Sequence, residues 1–237
     1  MHKLVVNQLP VERLRGQRVF VRIDVDAPDA TLAASFDDRK LSASLPTLEH
    51  LVSAGAHIII GAHLGDPGGA VVESLRLDHV GERLTQLLGK PVRKIDEAVG
   101  RVALLAASEL RDGDVLLVVN PRFSPGEDTN DTEFARQLGQ LCDVYCNDSF
   151  ALAHRATAST VGVTQFVHPA VAGLGLAREL KTLGVVLEKP KPPVVAIVAG
   201  TRLEAKLPLI ENLLPKLDRL FIGGTLAFHF LKAEGKE

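Results

Sequence analysis

Apolar residues fall along this chain in short continuous runs, separated by stretches of helical periodicity. The runs RVFVRIDV (18–25), HIIIGA (57–62), DVLLVVN (114–120), DVYCND (143–148), VVAIVAG (194–200) and RLFIGG (219–224) are rich in Val and Ile. Runs of this length, apolar at successive positions, suit strands buried on both faces, as in a parallel sheet covered by helices. Between them, Leu41, Leu45, Leu48, Leu51 and Val52 recur at helical spacing over 41–55, with Gly55 placed to end the helix. A second helix is predicted over 75–89, ending at Gly89. A third, over 131–141, has Asp131 as its N-cap and Phe134, Leu138 and Leu141 on one face. Further helices are predicted over 171–188, 203–217 and 225–234. Strand and helix alternate, so the expected fold is α/β with a doubly wound, Rossmann-like parallel sheet.

The segment KPKPP (189–193) carries Pro190, Pro192 and Pro193, which interrupt helix and sheet alike. Only two strands and two helices follow it, too few to bury a core of their own size well. The expected organisation is a first domain over 1–170, an interdomain helix and linker over 171–192, and an incomplete second α/β domain over 193–237.

Acids and bases are interspersed and the formal charge is -2, which argues against a nucleic-acid or anionic-membrane footprint. No apolar run reaches the ~18 residues a membrane span needs. The N-terminus lacks the apolar core of a signal peptide, so a cytoplasmic protein is expected. Cys142 and Cys146 have neither the spacing nor the partners of a metal or redox pair. They read as small buried apolar residues, and no metal site is expected.

Chemistry-bearing residues cluster after the predicted strands, where α/β proteins place their ligands. The segments are VRIDVDAP (21–28), AHLGDP (62–67), VVNPRF (118–123), NDSFALAHRATASTVG (147–162), AGTRLEAK (199–206) and FIGGTLAFHFLKAEGK (221–236). In order and spacing they resemble the signature segments of phosphoglycerate kinase, from about residue 18 onward. The resemblance implies a two-domain hinged kinase that moves phosphate between 1,3-bisphosphoglycerate with Mg-ADP and 3-phosphoglycerate with Mg-ATP. One domain would hold phosphoglycerate in a basic cleft and the other the nucleotide, with closure excluding water. Phosphoryl transfer spreads negative charge over equatorial oxygens, so positioned cations and backbone N–H groups carry it.

The resemblance assigns substrate contacts to Asp24, Asp26, Lys40, His63, Gly65, Asp66, Arg122, His154 and Arg155. Several depart from the family pattern. Asp26 stands where Asn is usual, and a carboxylate cannot donate the hydrogen bond an amide can. Lys40, aligned through Pro46, stands for an Arg; Arg39 lies one residue early. Asp66 stands for Arg after Gly65, a swing of two charges beside the expected phosphate. At ~4 Å and an effective dielectric of ~20 each charge is worth roughly 4 kcal/mol before solvation. Thr157 stands for a His, and Ala151-Leu152 for Gly-Thr.

On the nucleotide side, Arg202 and Lys206 match the family's two lysines, which contact the transferring and nucleotide phosphates. Gly200, Gly223 and Gly224 match its phosphate-cradling turns, while Ala199 and Thr225 stand for glycines. The family's acidic ribose contact and late Gly-Gly-Asp segment have no counterpart here. Weak or absent kinase activity is therefore expected of this chain alone. Two alternatives remain: a degenerate module binding a phosphorylated metabolite or a protein, and one half of a split kinase whose nucleotide domain is completed by a separate chain.

Overall fold

The structure, a computed structural model, describes residues 3–26, 38–188 and 190–236, the side chain of Val186 excepted. Ala27 and Pro28 of the first motif, and Lys189 of the linker, lie outside the described residues. The chain divides into two compact units, Met1–Glu179 and Leu180–Glu237.

In the first unit, strands β1 (Arg18–Arg22), β2 (His57–Gly61), β3 (Val92–Lys94), β4 (Val115–Leu117), β5 (Val144–Asn147) and β6 (Ala170–Ala172) form one sheet, ordered β3-β4-β2-β1-β5-β6. Every pairing is parallel. Successive side chains point to opposite faces of a strand, and both faces are apolar here. Val19, Val21, Ile58 and Ile60 pack with Leu41, Leu48 and Leu51 of α1 (Asp38–Ser53) and with Val80 and Leu84 of α2 (Asp78–Leu88). Phe20, Ile59, Leu116 and Tyr145 pack with Ala103, Ala106 and Ala107 of α3 (Arg101–Ser108). On that face Phe134, Ala135 and Leu138 also join, from α5 (Thr132–Gln140), which follows the short α4 (Pro125–Asp128). Cys142 and Cys146 are buried and unbridged, and burial pushes the Cys142 thiol up to about 12.

All six expected strands form, each shorter than its apolar run. The structure adds β3, β6, α3 and α4. Strands β3 and β6 are three-residue edge strands, and α3 buries only alanines, so none carries much periodic signal. The helix expected over 171–188 is corrected. Ala170–Ala172 completes the sheet, with the Ala172 N–H donating to Leu4 O, and α6 runs from Leu174 to Glu188. Its first turn is capped from outside: Leu176 N donates to Asp148 Oδ1 at 2.9 Å and Leu174 N to Thr47 Oγ1 at 2.8 Å. At the other end of α2, Gly89 takes the left-handed conformation expected of a helix stop. Asp131 caps α5 as expected, accepting from Phe134 N at 2.8 Å.

In the second unit β7 (Val195–Ala199) pairs parallel with β8 (Arg219–Gly223). Val198, Leu220 and Ile222 pack on α7 (Leu203–Leu213) and α8 (Leu226–Ala233) through Ile210, Leu226 and Phe230. The helix expected over 203–217 ends at Leu213, with Pro208 inside it, and a 3-10 turn containing Pro215 follows.

Candidate anion-binding site

Because β1, β2, β4 and β5 are parallel neighbours, their carboxyl ends open on one edge of the sheet. Asp24 and Asp26 follow β1; His63, Gly65 and Asp66 follow β2; Arg122 follows β4; His154 and Arg155 follow β5. The topology thus brings together residues up to 131 positions apart, from Asp24 to Arg155.

The floor of the site is a buried polar chain. Arg22, on β1, is 1% exposed. Its Nε donates to Ser159 Oγ at 2.9 Å, one Nη to Ile23 O at 2.7 Å, and the other lies 3.2 Å from His63 Nδ1. Ser159 Oγ donates onward to Glu127 Oε1 at 2.5 Å, and Ser159 N to Glu127 Oε2 at 3.0 Å. Thr157 Oγ1 adds a further donor to Glu127 at 2.9 Å. A buried charge is tolerated only when paired and hydrogen-bonded, and Glu127 meets Arg22 through the Ser159 hydroxyl. Burial lowers the Arg22 pKa, and the nearby Glu127 charge opposes that shift.

His63 is neutral. Burial and then the charges of Arg22, Arg122, Arg155 and Lys40 depress its pKa to about 2. Arginine only donates, so Nδ1 accepts from Arg22 and the ring proton sits on Nε2. That N–H lies 3.8 Å from Asp26 Oδ2.

Around the rim, Lys40 Nζ pairs with Asp24 Oδ2 at 3.0 Å and donates to Asp26 O at 2.7 Å. It is Lys40, as helical phase requires, that α1 turns toward the site. Asp26 Oδ1 accepts from Gly65 N at 2.7 Å, in keeping with a group that only accepts. Gly65 has φ +59, and a Cβ there would lie 2.9 Å from Leu75 Cδ2, so the turn requires glycine. Arg122 Nη1 donates to Gly65 O at 2.5 Å, Nη2 to Asp66 Oδ1 at 2.9 Å, and Nε to both Asp128 oxygens at 3.0 Å. Buried Asn120 holds this loop: its Oδ1 accepts from Arg122 N and its Nδ2 donates to Leu64 O at 2.9 Å. Asp66 is thus the partner of Arg122. His154 and Arg155 are exposed, after a 3-10 turn at Phe150–Leu152. Thr157 is buried on Glu127, and Leu152 is buried.

Beside the rim, a cavity of about 220 Å³ is lined by Asp24, Lys40, Ser44, Asp148, Phe150 and Arg178, among others. Asp148 Oδ2 is buried there without a partner, and burial raises the Asp148 pKa.

Sequence reasoning missed Arg22, Asn120, Glu127 and Ser159. For Arg22 the signal was present: an arginine inside the apolar run RVFVRIDV must find a buried partner.

In the second unit, the turns after β7 and β8 touch. Leu226 N and Thr225 Oγ1 donate to Gly200 O at 3.0 and 3.2 Å. A Cβ on Gly224, at φ +64, would lie 3.4 Å from the Gly200 backbone. Gly223 is opposite Ala199 in register. Arg202 is the N-cap residue of α7 and makes no side-chain cap, which leaves helix-start amides for an anion. Lys206 folds over Gly200, whose Cβ would sit 3.5 Å from Lys206 Cε.

A family model described as "Phosphoglycerate kinase" matches residues 9–237. Phosphoglycerate kinase from Picosynechococcus sp. is 47% identical over 236 residues, covering 100% of this chain and 59% of the relative. That from Thermosynechococcus vestitus is 45% identical over 99% of this chain and 58% of its own length. The solved phosphoglycerate kinase of Coxiella burnetii aligns with TM-score 0.85 and 36% identity over 99% of this chain and 58% of that one. That of Pyrococcus horikoshii OT3 gives TM-score 0.87 at 28% identity, with the same coverage. The chain therefore spans somewhat under three-fifths of the length of these relatives, and it belongs to the phosphoglycerate kinase family.

Proposed function

We propose that the first unit binds 3-phosphoglycerate or a closely related phosphorylated acid, as part of phosphoryl transfer between 1,3-bisphosphoglycerate with Mg-ADP and 3-phosphoglycerate with Mg-ATP. One observation carries the reading: a neutral His63 presents Nε2–H where the charges of Lys40, Arg122 and Arg155 converge on it. A neutral donor among cations recognises anionic oxygen without giving up its own proton. Lys40, Arg122, His154 and Arg155 would supply charge, and Asp24 and Asp26 would accept from a substrate hydroxyl. In the second unit, Gly200, Gly223, Gly224, Arg202 and Lys206 would hold nucleotide phosphates, with Arg202 and Lys206 stabilising the transferred group. The position of Lys206 supports this, because its side chain lies over the Gly200 turn. The setting is a soluble cytoplasmic pathway such as glycolysis or the Calvin cycle.

Turnover by the 237-residue chain alone is expected to be slow. Arg122 is already engaged by Asp66 and Asp128, and Asp26 sets a carboxylate opposite His63. Those same carboxylates favour a second reading, in which the chain binds a phosphorylated metabolite without acting on it. Calorimetry with 3-phosphoglycerate tests the shared claim. The expected heat of binding disappears in Arg155→Ala, and heat unaffected by that change overturns it. A coupled assay then separates the two readings, since measurable turnover excludes the second.

A further inference from the structure

Arg122 carries two carboxylates of different standing. Asp128 belongs to α4, directly after Glu127, and its side chain is 37% exposed. Asp66 sits on the loop after Gly65, its side chain is 76% exposed, and its one hydrogen bond among the described residues is to Arg122 Nη2 at 2.9 Å. The guanidinium itself is nearly buried, with 10% of the side chain exposed. The exposed partner of this nearly buried guanidinium is thus a carboxylate, which already carries the charge of a ligand.

We infer that Asp66 is an internal anion stationed on Arg122, and that a bound ligand must displace it to take the guanidinium fork. Asp66 is then a specificity-determining residue. A single carboxylate that replaces Asp66 leaves Arg122 with the same charge pairing and gains little. A dianionic phosphate ester brings a second charge and more acceptor oxygens, so it gains from the exchange. Asp66 therefore screens for phosphorylated over merely carboxylated ligands. This inference rests on the reading of the cleft as an anion site.

The test uses the full chain, with Asp66→Asn, Asp66→Glu and Arg155→Ala, titrated by NMR with inorganic phosphate and with glycerate. Position 66 is exposed, so folding is not at stake. Asp66→Asn is expected to bind phosphate about three- to tenfold more tightly, in line with loss of one competing ion pair. Its preference for phosphate over glycerate is expected to shrink, and Asp66→Glu is expected to keep the original pattern. Unchanged or weaker phosphate binding in Asp66→Asn overturns the role of Asp66, while the cleft reading survives if Arg155→Ala still removes binding. Absence of phosphate binding in every protein overturns both.

Discussion

A nitrogen of the Arg22 guanidinium lies 3.2 Å from His63 Nδ1, and this contact decides where the imidazole proton sits. It also sets a pH response. His63 has a folded pKa of about 2 against an ordinary 6.5, so below pH 6.5 the unfolded chain binds a proton that the folded chain refuses. Stability from this group is full above pH 6.5 and falls as the medium is acidified toward pH 2, by about 1.4 kcal/mol per pH unit. Urea unfolding from pH 7 to pH 4 should show that slope, and His63→Gln should flatten it. An equal slope in both proteins would refute the assignment.

Glu127 offsets the buried charge of Arg22 through Ser159. Glu127→Gln removes the charge that most strongly opposes the cost of burying Arg22 and is expected to cost about 3–5 kcal/mol. Adding Arg22→Met to Glu127→Gln should recover much of the loss, since both charges are then gone. A double variant no more stable than the single one would show that the two residues are not coupled.

Gly65 bonds outward on both sides, its N–H to Asp26 and its carbonyl to Arg122. Gly65→Ala forces an L-residue to φ +59 and drives a methyl into Leu75. A loss of about 1–3 kcal/mol is expected, with weaker phosphate binding than the loss of stability alone explains. Thermal melts with and without phosphate measure both effects.

Asp148 gives the opposite pH sign. Burial raises its folded pKa, so the stability it contributes is complete below its unfolded pKa and is lost as pH rises through the folded value. Asp148→Asn keeps an acceptor for Leu176 N and removes the charge. It should therefore be more stable relative to the parent at pH 8 than at pH 3. A constant difference across that range would count against the assignment.

The sheet was legible in the sequence because β1, β2, β4 and β5 are buried on both faces, and burial on both faces writes a continuous apolar run. Strands β3 and β6 were not, because three residues at a sheet edge bury too little to leave a pattern. The rim residues were visible as charges after strands. Their pairing was not: nothing local in AHLGDP says that Asp66 turns to Arg122, 56 positions away. Thr157 stands where the family has a His, and its hydroxyl belongs to the floor, on Glu127. Side chains that act through one another across the fold have no spacing to read.

The chain from Glu127 through Ser159 and Arg22 to His63 also bears on how such sequences diverge. Each member answers for the next, so a change in one is tolerated only with changes in the others. Exposed cations such as Arg155 answer to the ligand and not to this chain of contacts. In a distant sequence, an arginine closing the first apolar strand, together with a buried acid and a serine, is therefore a better sign of an intact cleft than the number of its surface arginines.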